Sequence, residues 1–595
     1  MFKTHFDHSA DGVDAQNAIL HFQLSASSIL GLPAMKLSAA QRWAQLAHKT
    51  DQSQILEAYH TIIHLISQVA GLEKPVQNRY TNLINISELS SSAAAAAIDL
   101  GRHDLALEWL EQGCCLVWNQ LNDLHTPIDG LHEHNPTLAN DIVRVSMALQ
   151  NAASRTESTA YMEETNMATK TSLQEQAHTH IKLAQEWEQL LIKVRTIPQF
   201  ADFLCPASCS TILKNIPNSG HVIVVNVHKD RSDAILLTSG TEEALHIALP
   251  EFSYNMAAAL RRDLKILLHN SRIRIRGDEN DASRGSRSYM QGIADILRQL
   301  WTFVVKPILD GLGYFVPASN LPRIWWCATG PLAFLPIHAA GIYTASKSTP
   351  GTYTTLPDFE ISSYTPTVLS LVKKNQNLQE INPEKVGLLM VSQPDTPELP
   401  CIPGTALEVG TIRQLLTEHQ IQYLTLESGD AEVDRVKEQM DSYSCIHFAC
   451  HASQNTTMPL QSGFFLYNGQ LELSEIIKKR IVGADLAFLS ACQTSTGDEK
   501  LSEEAVHLAG GMLAAGYRGV VATMWSIKDS FGPKFAEEFY KNLLSYEADR
   551  NIDSKRLSAD GAAHALHYST LQIRKTLDNS ETSLLTWVPY VHFGI

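Results

Sequence analysis

Apolar residues recur at spacings of three and four from the start of the chain to about Glu186, and strict alternation is scarce there. This spacing gathers the apolar side chains on one face of a helix. Alanine and leucine occupy many of these positions, and the polar interruptions between them are short. The pattern predicts an all-helical domain over residues 1–186, followed by a helical linker over residues 187–219.

Small residues in this region mark places where paired helices would approach closely. Ala106 lies between Gly101 and Gly113 on one such face. Ala18 and Ala58 occupy similar positions: Ala58 follows Ala18 by 40 residues, and Ala106 follows Ala58 by 48 residues. A regular tetratricopeptide repeat has a period of about 34 residues. Two interpretations therefore stay open: degenerate repeats of this type, or a non-repeating helical array. Either would offer a concave surface suited to a peptide or protein partner.

The pattern changes at about Gly220, where β-branched and apolar runs appear. His221 to Asp230 and Arg231 to Gly240 predict two strands joined by a turn, and Arg323 to Gly330 predicts another. Between them, Tyr254 to Leu300 has helical spacing, interrupted by the polar run Arg276 to Ser288. We interpret that run as a surface loop and residues 220–380 as one part of an α/β domain.

Strands and helices alternate regularly after Ile381, which predicts the second part of this domain over residues 381–595. The predicted strands lie in Val386–Pro394, Ile421–Gly429, Ser444–Ser453, Ala484–Thr494 and Gly519–Trp525, with helices or a short hairpin between them. Continuous apolar strands alternating with helices are typical of a mostly parallel sheet covered on both faces. The predicted fold class is therefore an α/β sheet with helices on both faces, preceded by an all-α domain.

Two of these strands end in reactive side chains. One ends at His451 in the run HFACHAS, and the other at Cys492 in FLSACQT. The carboxyl ends of parallel strands meet at one edge of a sheet, about 4.8 Å apart for neighbours. An imidazole and a thiol placed there can cleave an amide, because the thiolate attacks the carbonyl carbon and the imidazole protonates the leaving amine.

Main-chain N–H groups at the same strand ends could bind the oxyanion, and those of Ala452 and Cys492 are the candidates. The alternative interpretation is that His451 and Cys492 reach the strand ends by chance, since the chain has 24 histidines and nine cysteines. His447 is the rival base, but it lies inside the predicted strand and is expected in or beside the core. Cys445 and Cys450 belong to the same strand and are not expected to act as nucleophiles.

Composition excludes several classes of protein. The 63 acidic residues outnumber the 47 basic ones, a formal charge of −16, so no nucleic-acid partner is expected. No apolar run reaches the roughly 20 residues of a membrane span, and residues 1–16 lack the apolar core of a signal peptide. Nine scattered cysteines show no disulfide rhythm, which indicates a reducing compartment. We therefore expect a cytoplasmic protein.

No cofactor or metal is expected either. The chain has neither a G-x-x-x-x-G-K-[ST] loop nor a G-x-G-x-x-G run after a predicted strand. Cys205 and Cys209 form a C-x3-C pair without a second pair at metal-binding spacing, so ordinary cysteines are favoured over a zinc site. His507, in a predicted helix with apolar neighbours, is interpreted as core or interface packing.

Several of these runs carry a resemblance to a known family. HFACHAS, the long run from FLSACQTSTGDEK to MWSIKDS, and the tail WVPYVHFG resemble the CHAT domain, a caspase-clan module found next to tetratricopeptide repeats. Trp325 to Gly341 resembles an upstream block of the family, and LALEWLEQGCCLVWNQL fits its fungal repeat-containing type. The resemblance implies a caspase-like fold with an inactive pseudo-caspase part (residues 220–380) and a catalytic part (residues 381–595).

The resemblance also implies roles for single residues. His451 matches the general base of the family and Cys492 its nucleophile. Glycine usually follows the histidine, whereas this chain has Ala452, which restricts φ and puts the oxyanion geometry in doubt. Relatives that cleave after basic residues have an acid two positions before the cysteine; Ser490 stands here, so a basic preference is not supported.

Three further residues are candidates for lining the cleft. Asp485 could still supply a negative charge, and Trp525 and Asp529 follow a predicted strand end, with structural capping as the alternative interpretation. The hypothesis from sequence is a cysteine endopeptidase with a protein or peptide substrate, whose helical domain binds a partner or activator. The resemblance suggests immune or cell-death signalling. The alternative is a catalytically inactive, caspase-like signalling scaffold.

Overall fold

The structure is a computed structural model of the 595-residue chain. It describes residues 12–74, 76–84, 86, 88–124, 126, 128–153, 167–271, 292–343, 354–376, 385–397, 399–455, 459–479, 481–491, 508–549 and 556–595. The run Arg276 to Ser288, interpreted above as a surface loop, lies outside these residues. The chain divides into two compact units, Met1–Cys209 and Ser210–Ile595.

The first unit is helical throughout its described residues, as the apolar spacing predicts. Its helices are α1 (Gly12–Ala26), α2 (Pro33–Thr50), α3 (Ile55–Val69), α4 (Val76–Ile84), α5 (Leu89–Asp99), α6 (His103–Gly113), α7 (Leu116–Asp123), α8 (Asp129–His134), α9 (Pro136–Ala153) and α10 (Met167–Arg195). A Cβ atom added at Gly113 of α6 would lie 2.5 Å from Cβ of Ser90 in α5, so only glycine allows this approach. Whether the helices form tetratricopeptide repeats stays a prediction.

The second unit contains every strand that the structure describes. The strands are β1 (Gly220–Val227), β2 (Ser232–Thr238), β3 (Leu245–Ala248), β4 (Arg323–Ala328), β5 (Ile361–Tyr364), β6 (Leu388–Ser392), β7 (Tyr423–Glu427), β8 (Cys445–Ala449), β9 (Ala452–Ser453), β10 (Gly463–Leu466), β11 (Gly469–Glu472), β12 (Leu486–Ser490), β13 (Gly519–Thr523) and β14 (Tyr590–Gly594). All the strands predicted from apolar runs are present, each shorter than its run.

Helices of the second unit follow the alternation that the sequence predicts. They are α11 (Cys209–Asn215, which begins at the unit boundary), α12 (Tyr254–Asn270), α13 (Ile293–Leu300), α14 (Lys306–Leu312), α15 (Val368–Gln376), α16 (Gly404–Glu418), α17 (Val433–Met440), α18 (Leu473–Lys479), α19 (Leu508–Ala514), α20 (Gly532–Asp549), α21 (Ala562–Thr576) and α22 (Glu581–Trp587). Among the helices in the described parts of the chain, none is both long and apolar enough for a membrane crossing.

Eleven strands form one sheet in the order β3-β2-β1-β4-β5-β14-β13-β12-β8-β6-β7. Neighbours run parallel from β1 through β4 and β5 to β14, and again from β13 through β12, β8 and β6 to β7. The hairpins at β1–β2 and β2–β3 and the pair β13–β14 are antiparallel. The mostly parallel sheet of the sequence prediction is thus confirmed.

Both faces of the central sheet are covered. Every residue of β6, β8, β12, β13 and β14 is buried, which requires side chains on both faces to be shielded from water. A second sheet, β11-β10-β9, branches from the chain after β8. It contains the short hairpin that the sequence predicts between the strands ending near His451 and Cys492, and α18 follows it.

Candidate functional site

β8 and β12 end side by side at the carboxyl edge of the large sheet. They are parallel neighbours in register, with Ala449 opposite Ser490 at their last residues. His451 and Cys492 are each two residues further along the chain. Cys492 lies outside the described residues, as does His507. The last described residue before it, Ala491, is buried, and its carbonyl oxygen accepts a hydrogen bond of 2.9 Å from Oγ1 of Thr523 in β13.

His451 is half-buried between β8 and β9, and main-chain groups hold it on two sides. Its own carbonyl oxygen accepts a 2.8 Å hydrogen bond from the N–H of Phe465. Its ring atom Nε2 lies 2.8 Å from the carbonyl oxygen of Pro400. A carbonyl oxygen can only accept, so Nε2 carries the proton of this hydrogen bond. In the neutral ring, Nδ1 then keeps the free electron pair.

Pro400 belongs to a connection that we name the Pro400 loop, residues 393–403, between β6 and α16. The loop is fixed at its start, because the N–H of Gln393 donates to the carbonyl oxygen of Ala449 over 3.0 Å. It also closes on itself through the N–H of Ile402 and the carbonyl oxygen of Pro394, 2.9 Å apart. Sequence reasoning missed this partner of His451, because any residue type can present a main-chain carbonyl.

Ala452 follows His451 as the first residue of β9, opposite Phe464 of β10. The hydrogen bond from Phe465 to His451 makes the preceding pair of residues the hydrogen-bonded one. In an antiparallel pair these positions alternate, so the main-chain groups of Ala452 point away from β10. The N–H group of Ala452 therefore points to the side of β9 opposite β10.

Ser490 has its side chain below this edge, in a buried polar network. Its Oγ donates a 3.0 Å hydrogen bond to Oε2 of Glu408 in α16. The other carboxylate oxygen of Glu408 lies 3.1 Å from Nε2 of His447. Nδ1 of His447 lies 3.1 Å from the hydroxyl group of Tyr540 in α20. Burial raises the pKa of Tyr540, which therefore stays a neutral phenol.

The network explains why His447 is not the base. Its side chain has no solvent exposure and stacks on Phe488, with ring centroids 4.9 Å apart. The expectation that His447 lies in the core is confirmed. Cys445 and Cys450 are buried as well, and burial raises the pKa of the Cys445 thiol, which disfavours its thiolate.

The remaining candidates are not all brought together. Asp485, a candidate source of negative charge for the cleft, precedes β12 and so lies at the opposite, amino-terminal end of that strand. It is fully buried 3.0 Å from Nη1 of Arg518, and its pKa is raised by burial. Asp485 therefore does not line the edge at which His451 lies. Its position follows from chain order, because it comes before the apolar run that forms the strand.

Trp525 and Asp529 follow β13, at the same edge as His451, but both have structural contacts. Trp525 is buried, and its Nε1 donates to the carbonyl oxygen of Leu585 over 3.1 Å. Oδ2 of Asp529 accepts a 2.9 Å hydrogen bond from the N–H of Gly404, the first residue of α16. This is the capping role that the sequence left as an alternative.

The described residues contain no group of three or more His, Cys, Asp or Glu side chains that could hold a metal ion. Cys205 is exposed and Cys209 is buried, and burial raises the pKa of Cys209 to about 11. The two cysteines of the C-x3-C pair therefore lie in different environments.

Comparisons with solved structures find distant similarities. The separase–securin complex of Saccharomyces cerevisiae matches in two crystal structures, at 10% and 11% identity and TM-scores of 0.41 and 0.42. These matches cover 94% and 100% of this chain, and 46% and 54% of the separase chains, so this chain spans about half their length. The Arg-specific cysteine proteinase gingipain R matches at 12% identity and a TM-score of 0.33, over 49% of this chain and 67% of that one.

The comparison with curated protein sequences gives no match. The sequence model of one family, described as the CHAT domain, matches residues 294–595, which is more than half of the chain. That range holds β4 to β14, both strands that end beside His451 and Cys492, and the Pro400 loop. The chain therefore belongs to the CHAT domain family.

Proposed function

We propose that this chain is a cysteine endopeptidase in which Cys492 is the nucleophile and His451 the general acid and base. The observation that carries the proposal is the common register of β8 and β12, whose last residues lie opposite each other. Cys492 follows the fixed residue Ala491 by one peptide unit, about 3.8 Å between Cα atoms. His451 is half-buried at the same edge, and Pro400 fixes which ring nitrogen is the base.

The reaction follows from this arrangement. Nδ1 of His451 takes the thiol proton, and the sulfur of Cys492 attacks the carbonyl carbon of the substrate. The N–H groups of Ala452 and Cys492 stabilise the resulting oxyanion. The carbon–nitrogen bond then breaks as Nδ1 returns the proton to the leaving amine. A water molecule, deprotonated by Nδ1, hydrolyses the thioester, and the carboxylic product leaves with the thiol regenerated.

The Pro400 carbonyl supports each proton transfer. It accepts a hydrogen bond from Nε2, so it holds the ring in one tautomer and stabilises the imidazolium form that arises when Nδ1 takes the proton. A backbone oxygen at 2.8 Å replaces the carboxylate of a catalytic triad in this role, and no third side chain is required.

Alanine at position 452 is compatible with this mechanism. Ala452 has the extended conformation of β9 and is not among the residues with positive φ. Glycine is required only where φ is positive, so the Cβ atom of alanine adds no backbone strain at this position. The main reason to suspect lost activity from the sequence is thereby weakened, which favours the peptidase over the inactive scaffold.

A protein substrate and a partner for the helical unit are part of the same proposal. Ser490 stands where an acid would favour basic residues, and its hydroxyl group is engaged by Glu408 below the edge. We propose no basic preference. The family resemblance supports a role in immune or cell-death signalling in the cytoplasm, with the helices of Met1–Cys209 binding the activating partner.

Protein N-terminal labelling in cells that express the chain tests the proposal. Cells with the wild-type chain should show new protein N-termini that are absent with Cys492→Ala and reduced at least about a hundredfold with His451→Gln. Cys205→Ala is the matched control, because Cys205 is an exposed cysteine of the helical unit and should leave cleavage unchanged. New termini that persist with Cys492→Ala would refute the proposal, and an inactive scaffold would produce none with any variant.

A further inference from the structure

The Pro400 loop presents a carbonyl oxygen to His451, and its two ends are held by different parts of the sheet. At its start, the N–H of Gln393 donates to the carbonyl oxygen of Ala449 in β8. Nε2 of Gln393 also donates to the carbonyl oxygen of Asp395 over 2.6 Å, which closes the first turn of the loop. This end is therefore fixed to the strand that precedes His451.

The other end of the loop is held by Asp529, which follows β13. The loop ends at Gly404, the first residue of α16, and Oδ2 of Asp529 accepts a 2.9 Å hydrogen bond from its N–H group. The two residues are 125 positions apart in the sequence. A carboxylate is favoured at this place, because the free N–H groups and the dipole of a helix make its N-terminus partly positive.

The contact between Asp529 and Gly404 is close as well as polar. A Cβ atom added at Gly404 would lie 2.3 Å from the main-chain oxygen of Asp529 and 2.6 Å from its Oδ1. Two non-bonded heavy atoms do not approach to these distances without one of them moving. The absence of a side chain at position 404 thus allows both the main chain and the side chain of Asp529 to reach the start of α16.

The chain between Pro400 and Gly404 has little freedom of its own. The carbonyl oxygen of Ile402 accepts from the N–H of Thr405 over 3.2 Å and from its Oγ1 over 2.9 Å. The pyrrolidine rings of Pro400 and Pro403 restrict φ at two of the residues in between. A displacement of Gly404 is therefore passed on to the Pro400 carbonyl, because these few residues cannot absorb it.

α16 itself has a second anchor below the edge, where Oε2 of Glu408 accepts a hydrogen bond from Ser490. Loss of the Asp529 carboxylate would free the first residue of the helix and the loop before it. The body of the helix would remain attached to the sheet through Glu408. The expected effect of Asp529 is therefore local to the Pro400 loop.

We propose that Asp529 is a positioning residue for His451. By anchoring the end of the Pro400 loop, it keeps the Pro400 carbonyl oxygen 2.8 Å from Nε2 of His451 and so holds the ring in one orientation. Asp529 acts on the ring through the main chain of the loop. Its importance for catalysis rests on the proposed function, whereas its importance for the ring does not.

The Nε2 proton of His451 reports on this arrangement in NMR spectra of the full chain. A ring proton held in a hydrogen bond exchanges slowly with water, and its signal is identified by its loss in His451→Gln. In Asp529→Ala the carbonyl partner is no longer fixed, so we expect this exchange to be at least about tenfold faster. Asp529→Asn keeps an oxygen that accepts from Gly404 and should restore the slow exchange.

Two further variants separate positioning from a general loss of stability. Gly404→Ala should accelerate the exchange as Asp529→Ala does, although alanine favours a helix more than glycine, and it replaces Asp529→Ala if that variant does not fold. Ser253→Ala is the matched control. Ser253 caps α12 through a 3.2 Å hydrogen bond from the N–H of Met256, so its loss should lower stability and leave the His451 ring unchanged.

Cleavage at the sites found for the wild-type chain should fall about threefold to tenfold with Asp529→Ala and recover with Asp529→Asn. The proposal is overturned if the His451 proton exchanges rapidly in the wild type, if Asp529→Ala leaves its exchange unchanged, or if Ser253→Ala accelerates it equally. A chain that cleaves nothing but shows the expected exchange would refute the peptidase and confirm Asp529 as the anchor of the ring.

Discussion

Glu408 places one carboxylate oxygen 3.0 Å from Oγ of Ser490 and the other 3.1 Å from Nε2 of His447, below the edge at which His451 lies. Glu408→Ala would leave the hydroxyl of Ser490 and the ring of His447 buried without this partner. Leaving a buried polar group such as the Ser490 hydroxyl without its partner costs about 1–3 kcal/mol of unfolding free energy. Urea denaturation of the full chain measures the loss.

The matched control for Glu408 is Glu418→Ala on the same helix, α16. Glu418 is exposed, and its partner is Gln414, so its loss should change the unfolding free energy by less than about 1 kcal/mol. Equal effects of the two substitutions would show that the network below the edge adds nothing to stability.

Single residues also mark the limit of what sequence can predict about the site. His451 and Cys492 could be singled out, because both follow apolar strand runs that resemble those of the CHAT domain. Pro400 and Glu408 could not be singled out in this way. Pro400 lies 51 residues from its partner His451, and Glu408 lies 82 residues from its partner Ser490. Only the fold brings such distant residues together.

At the scale of elements, α20 ends in a buried carboxyl group, Glu547. Oε1 of Glu547 accepts a 2.5 Å hydrogen bond from the N–H of Ser558, and burial raises the pKa of Glu547 to about 8. The folded state thus holds a proton that the unfolded state releases at about pH 4.5. Stability is therefore lost as pH rises from about 4.5 to 8.

Glu547→Gln removes this pH-dependent loss while keeping the oxygen that accepts from Ser558. We expect the variant to be more stable than wild type at pH 8.5 by at least about 2 kcal/mol, and to show a much smaller difference at pH 5. Thermal unfolding at both pH values measures this difference. Glu537→Gln is the control, because Glu537 is a half-buried residue of α20 at its surface, paired with Lys541. A difference for Glu547→Gln that does not change with pH would contradict the buried, protonated carboxyl.

The positions of the strands along the chain can be predicted from the sequence more closely than their order in the sheet. Apolar runs predict β6, β8, β12 and β13, because strands buried on both faces need continuous apolar stretches. Their parallel direction follows from the helices between them. The sequence does not predict that β14, the last strand in the chain, inserts between β5 and β13, because that placement depends on contacts far apart in sequence.

The insertion of β14 joins the two parts of the second unit into one sheet. β14 is parallel to β5 and antiparallel to β13, so it makes one sheet of the strands before and after residue 380. The side chain of Trp325 in β4 reinforces the connection, as its Nε1 donates to the carbonyl oxygen of Gly594 over 2.8 Å. The edge at which β8 and β12 end is thereby part of one continuous sheet.

The central claim is that this sheet presents Cys492 and His451 at one edge, and the reactivity of the thiol tests it without a known substrate. Alkylation of the full chain by iodoacetamide, followed at the Cys492 peptide by mass spectrometry across pH 5–10, gives the pKa of this thiol. An adjacent imidazole should hold that pKa below the ordinary value of about 8.5, and His451→Gln should return it there. A pKa at or above the ordinary value that His451→Gln does not change would contradict the account.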